Sequence, residues 1–90
     1  MIRRHMVFRG KVSNVGFGER VVRMGGIYDC TGWVREEDDG SVSMEIQGTE
    51  TEIAFMIAAI ERGEGIEVDH QVSFGLAPDK QEIGFREYDE

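Results

Sequence analysis

The chain has little of what usually staples a small protein together. Its 90 residues include one cysteine and one proline. Cys30 has no second thiol with which to close a disulfide, and one cysteine is too few for a structural zinc site. A reducing, cytoplasmic setting is therefore expected. A single proline excludes collagen-like and proline-rich architectures. No apolar run approaches the roughly 18 residues of a membrane span, and no signal-peptide pattern opens the sequence. No membrane contact is expected. Basic residues are also scarce, 10 against 18 acidic ones, which leaves a net charge of −8. A chain this acidic repels nucleic acid, and no mixture of aromatic and basic residues interrupts its acids.

What remains is 40% hydrophobic and 31% charged, the composition of one compact soluble domain spanning residues 1–90; the order of its segments is what makes that domain α+β. The charge is unevenly spread, with +5 over residues 1–35 and −13 over 36–90. The basic third favours a phosphate or other small anion locally. Solvated faces that keep the domain soluble are the simpler account of both sets.

Alternating apolar residues predict a strand over 3–12, with Met6, Phe8 and Val12 on one face and Arg9 and Lys11 on the other. Turn residues 13–18 follow. A helix is expected over 19–28 with Val21, Val22 and Met24 inward, weakened by Gly25 and Gly26 at about 1 kcal/mol each. Strands near 31–36 and 41–47 flank Asp39-Gly40, a strong hairpin signal. Thr49 and Glu52 form a capping box opening a helix over 49–62. Ile53, Met56, Ile57 and Ile60 make its apolar stripe, and Gly63 stands where a left-handed cap belongs. An extended region from Glu67 to Phe74 breaks around Pro78 and resumes from Ile83 to Tyr88. The order predicts a ferredoxin-like βαββαβ sandwich: an antiparallel sheet, two helices on one face, and a short extra C-terminal strand.

Two segments carry a family resemblance. Phe8-Arg9-Gly10-Lys11-Val12-Ser13-Asn14-Val15-Gly16-Phe17-Gly18 resembles the first signature of the acylphosphatase family, Gly-x-Val-Gln-Gly-Val-x-Phe-Arg. Thr31 to Gly48, with Gly32-Trp33-Val34-Arg35 and Gly40-Ser41-Val42, resembles the second, in which Gly-aromatic-Val-basic-Asn leads to Gly-x-Val and a final Gly. The resemblance covers nearly the whole chain. It implies hydrolysis of acyl phosphates to carboxylate and phosphate, without metal, cofactor or covalent intermediate. It also implies a phosphate-binding loop of Ser13, Asn14, Val15, Gly16, Phe17 and Gly18. There the family's closing arginine clamps phosphate, and the asparagine of the second signature orients the attacking water. A turn that opens a helix does present N–H groups and partial positive charge to an anion.

Neither catalytic residue is intact. The arginine position is Gly18 and the asparagine position is Glu36, while Ser13-Asn14 replaces Gln-Gly. Losing an arginine that meets phosphoryl charge removes roughly 10³–10⁵ in rate in comparable systems, and a glutamate opposes a dianion. Arg20, Arg23 and Arg35 are poorly phased to stand in, and solvation or pairing with Glu19 or the acids of 36–39 is expected of them instead. The expected function is a catalytically impaired acylphosphatase-like domain whose glycine-rich turn either binds small anions weakly or serves the fold alone, with no ligand. The alternatives are an active enzyme with rearranged residues and a non-enzymatic interaction module. Cys30, His5 and His70 are expected to be packing or surface residues, Met24, Met44 and Met56 core filler, and Asp29 a left-handed helix end.

Overall fold

Alternation along the strands sorts the side chains onto two faces, and the helices cover only one of them. The computed structural model describes residues 1–88. Its elements are β1 (Ile2–Lys11), α1 (Phe17–Ile27), β2 (Thr31–Glu36), β3 (Val42–Gly48), α2 (Glu50–Glu61), β4 (Glu67–Leu76) and β5 (Phe85–Tyr88). One sheet runs in the order β4-β1-β3-β2-β5. Met6 and Phe8 of β1, Val34 of β2 and Val42, Met44 and Ile46 of β3 point at the helices and form the core with Phe17, Val21, Met56 and Ile60. Met24 and Cys30 are also buried there, as expected.

The sheet is mixed where an antiparallel one was expected. β1 pairs antiparallel with β3 and β4, and β2 with β3, but β5 lies parallel to β2. The reason is geometric. Residues 77–84 carry the chain from one edge of the sheet to the other. Eight residues reach at most about 28 Å, and four strand spacings of about 4.8 Å fall within that. A chain that crosses at one end must return antiparallel to β4, and β2 already runs in that sense.

Local signals mostly hold. In the hairpin turn Gly40 takes φ 87°. Asp39 accepts hydrogen bonds from Ser41 Oγ at 2.6 Å and Ser41 N at 3.0 Å, which together with Arg9 hold its carboxyl down at about 2. Thr49 and Glu52 close the capping box in both directions. Asp29 adopts φ 58° at the end of α1, as anticipated.

Four expectations need correction. The first helix starts at Phe17, because Gly16 at φ 74° turns the chain straight into it, and Val22 is only half-buried. β4 runs on through Gly75 to Leu76 in register with Arg3, and the last strand begins only at Phe85. Gly63 is not the left-handed cap: the positive φ belongs to Gly65 at 82°. A β-carbon on Gly63 would collide with Ile66 and with Arg20, so glycine is needed there for close approach. Finally, Ile57 is half-buried and Ala59 takes its place in the buried set. Ile60→Ala is therefore expected to destabilise by about 2–5 kcal/mol, and Ile57→Ala by clearly less. Urea denaturation of the two variants checks this ranking.

Candidate functional site

The turn between β1 and α1 owes its shape to two left-handed residues. Asn14 takes φ 58° and Gly16 takes φ 74°. Asparagine is one of the few side chains that tolerate this region, so Asn14 can fill a glycine position without straightening the loop. Val15 packs against the core, and Phe17 is fully buried with its ring centroid 5.3 Å from that of Phe8. These anchors hold the backbone of 13–18 at the start of α1. Gly16 has no side chain to cap the helix, so the first-turn N–H groups are left to other acceptors.

The loop residues just before the helix have an acceptor from the chain itself. Glu36, at the end of β2, shares the helix-facing side of that strand with Val34. Its Oε1 accepts hydrogen bonds from Ser13 Oγ at 3.1 Å and from Asn14 N at 3.0 Å. A carboxylate thus sits on the loop where the family resemblance places an anion and its attacking water. The loop still receives negative charge through backbone and hydroxyl donors, but that charge belongs to the protein.

Gly18 is buried in the first turn of α1. It lies seven residues before Gly25, hence on the same face two turns away. That face meets β5. A β-carbon on Gly25 would collide with the Phe85 ring, and one on Gly18 would collide with the Glu87 carboxylate. The two glycines form a groove into which β5 settles, with Phe85 and Glu87 on the same side of the strand. Glu87 is the site residue that sequence reasoning missed. Its signal was the parity of the last strand: if Phe85 is in the core, Glu87 faces the helix too.

The arginines do not converge on the loop. Arg20 donates from Nε and Nη2 to the Ala59 carbonyl at 3.1 and 2.6 Å, capping α2 where a cation is favoured. It pairs neither with Glu19 nor with the acids of 36–39, because α1 and α2 pack side by side. Arg35 lies on the opposite sheet face, bound to Glu37 at 3.0 Å and over the Trp33 ring. Arg23 is exposed on α1.

The remaining candidates lie elsewhere. Cys30 is buried, and burial, with Glu52 and Asp29, pushes its thiol up to about 11, which leaves little thiolate at neutral pH. His5 bonds Glu45 at 2.8 Å and stacks on Phe74, while His70 is exposed on β4. Among the described residues, no three His, Cys, Asp or Glu side chains are grouped to hold a metal ion. Among the same residues, no helix is long and apolar enough to cross a membrane.

Known proteins share this architecture and sequence pattern. The family model described as Acylphosphatase matches residues 4–86. An acylphosphatase from Geobacillus kaustophilus is 40% identical over 63 residues, covering 70% of this chain and 67% of the relative. One from Nitratidesulfovibrio vulgaris is 36% identical, covering 96% of this chain and 93% of the relative. The crystal structure of acylphosphatase from Bacillus subtilis superposes with a TM-score of 0.88 at 22% identity, over 98% of this chain and 99% of that one.

Proposed function

The chain belongs to the acylphosphatase family, and from that premise we propose that it is a member whose hydrolysis of acyl phosphates is impaired by its own carboxylates. The observation that carries this reading is Glu36 Oε1 on Ser13 Oγ and Asn14 N. The family reaction needs a dianionic phosphoryl group on that loop and a water directed at it. Glu36 takes the donors and sets a like charge beside the phosphate. Two unit charges about 4 Å apart repel by about 4 kcal/mol near a protein surface, close to a thousandfold in binding. Gly18 supplies no guanidinium to offset this, and Glu87 adds a second carboxylate on the same side. Weak anion binding is what the loop retains, because its left-handed geometry and the side-chain-uncapped start of α1 are kept.

The reading in which rearranged residues restore full activity finds little support. Arg20, nearest in sequence, is committed to the end of α2.

Benzoyl phosphate hydrolysis tests the proposal. The wild-type chain is expected to turn over far below the roughly 10 s⁻¹ typical of enzymes. Turnover at or above that rate would overturn the impairment. Amide shift mapping with inorganic phosphate tests the anion half separately. Residues 13–18 should respond weakly in the wild type and more strongly in Glu36→Asn.

A further inference from the structure

Beside β5, on the helix-free face of the sheet, lies a cleft of about 260 Å³. The 77–84 segment forms one wall with Asp79, Gln81, Glu82 and Ile83, and β5 forms the other with Arg86 and Tyr88. Phe85 packs against the core, so alternation turns Arg86 and Tyr88 away from the helices. There Arg86 pairs in register with Trp33, and the Tyr88 ring lies 5.9 Å from the Trp33 ring. The volume is below the roughly 300–1,000 Å³ of pockets that enclose drug-sized ligands, so an occupant must be small.

The 77–84 wall is held from beneath. Gln47, itself buried, accepts from Asp79 N at 2.7 Å and donates to Asp79 O at 2.8 Å. The buried Arg3 guanidinium binds the Glu82 carboxylate at 2.7 and 3.1 Å. Gly32, which also lines the cleft, donates from N to Gly84 O at 3.1 Å and so joins the segment to the sheet. Glu82 is thereby neutralised. Asp79 Oδ1 accepts from Gln81 N at 3.0 Å, while its Oδ2 has no partner among the described residues. Among the same residues neither Asp79 nor Arg86 has an ion pair, and the Arg86 guanidinium makes no hydrogen bond. One positive and one negative group therefore line the same cleft without meeting.

We propose that this cleft binds a free amino acid with an apolar side chain, as its zwitterion. The ligand carboxylate takes the fork of the Arg86 guanidinium, and the ammonium takes the Asp79 carboxylate. Its side chain covers Ile83 and Tyr88, which are 84% and 45% exposed, removing apolar surface from water. Charge decides against simpler ligands. A plain anion would meet the Asp79 carboxylate and a chain of net charge −8, and a plain cation would meet Arg86. A zwitterion adds no net charge and satisfies both groups. The cleft lies on the sheet face opposite the helices, so it is separate from the loop of residues 13–18 that opens α1.

Leucine is the probe, and Trp33, the chain's one tryptophan, is the reporter. Leucine added to the full chain up to about 50 mM should change Trp33 fluorescence with a midpoint on the order of 1 mM. The amides of Gly32, Gln81 and Ile83 should shift with it, and those of 13–18 should not. Leucinamide lacks the carboxylate and N-acetylleucine lacks the ammonium, so each should bind at least about tenfold more weakly. Arg86→Gln and Asp79→Asn should each weaken leucine binding by a similar factor. Both side chains are exposed and outside any ion pair among the described residues, so the urea midpoints of both variants should match the wild type, separating a lost ligand contact from lost folding. No response to leucine over this range overturns the proposal. So does N-acetylleucine or leucinamide binding as tightly as leucine, or either folded variant binding leucine as well as the wild type.

Discussion

Gly18→Arg combined with Glu36→Asn is expected to raise benzoyl phosphate turnover by at least about 10³, the lower end of what an arginine at transferring phosphoryl charge supplies. The backbone permits the first change. Gly18 lies inside α1 and is absent from the positive-φ glycines, so its conformation suits any L residue. The obstacle is the Glu87 carboxylate, which occupies the position of the new β-carbon. It is the far end of a flexible side chain and can swing aside, but it will then pair with the incoming guanidinium. The second change frees Ser13 Oγ and Asn14 N from Glu36 and supplies a neutral amide to hold water.

Each change alone should do little for turnover. Gly18→Arg leaves Glu36 on the loop, and Glu36→Asn leaves the phosphate without a clamp. Both act on one bound group, so their effects should be strongly non-additive. Glu87→Gln added to the pair reveals whether Glu87 holds the arginine in place or draws it away. A folded double variant and a folded triple variant that are both inert would mean that the loop, and not its charges, has diverged.

Legibility from sequence followed the range of the interaction. The capping box at Thr49, the Asp39-Gly40 hairpin and the left-handed Asp29 depend on residues within a few positions of one another. They could be read directly. The placing of Gly18 and Glu36 at signature positions rests likewise on spacing along the chain. What those residues touch could not be read. Glu36 reaches Asn14 across 22 positions, and Arg20 reaches Ala59 across 39. Composition offers many acids and several arginines as partners for each, and only the packed sheet and helices select among them. Gly63 shows the same limit in reverse. Glycine after a helix suggests a cap by local rule, whereas the Arg20 side chain arriving from α1 is a contact that no local rule shows.

The longest-range contact of this kind should be the most expensive to remove. Arg3→Met is expected to destabilise the fold by about 3–5 kcal/mol, the effect of breaking a buried ion pair from one side. Arg3 is 6% exposed on the helix-free face, where few charged groups survive without partners. It donates to Glu45 Oε1 from Nε and Nη2 at 3.1 and 3.0 Å, and to Glu82 at 2.7 and 3.1 Å. Glu82 belongs to the 77–84 segment, which Gln47 also holds through the backbone of Asp79 at 2.7 and 2.8 Å. Without Arg3, two partly buried carboxylates lose the guanidinium they share, and the segment that positions β5 is left with its bonds to Gln47 and Gly32. Hydrogen exchange should accelerate at Gly32 N, which bonds Gly84 O at 3.1 Å.

The pH profile gives an independent check on the same network. Burial pushes the Glu45 carboxyl up, but hydrogen bonds from His5 and Arg3 outweigh it and hold the group below its ordinary 4.5. A carboxyl depressed in the folded state contributes stability above its unfolded value, and that contribution disappears as pH falls through the folded one. Wild-type stability should therefore decline on acidification below pH 4.5, and the decline should be shallower in Arg3→Met, where one of the depressing partners is gone. Urea denaturation of both proteins from neutral pH down to pH 3 reads out the stability difference and its slope, on a scale set by the wild-type carboxyl range. A Glu82→Gln change should be far milder in the Arg3→Met background than in the wild type, because its main partner has already been removed. If Arg3→Met unfolds at the same urea concentration as the wild type, the network merely decorates the sheet, and the 77–84 segment is held by its bonds to Gln47 and Gly32.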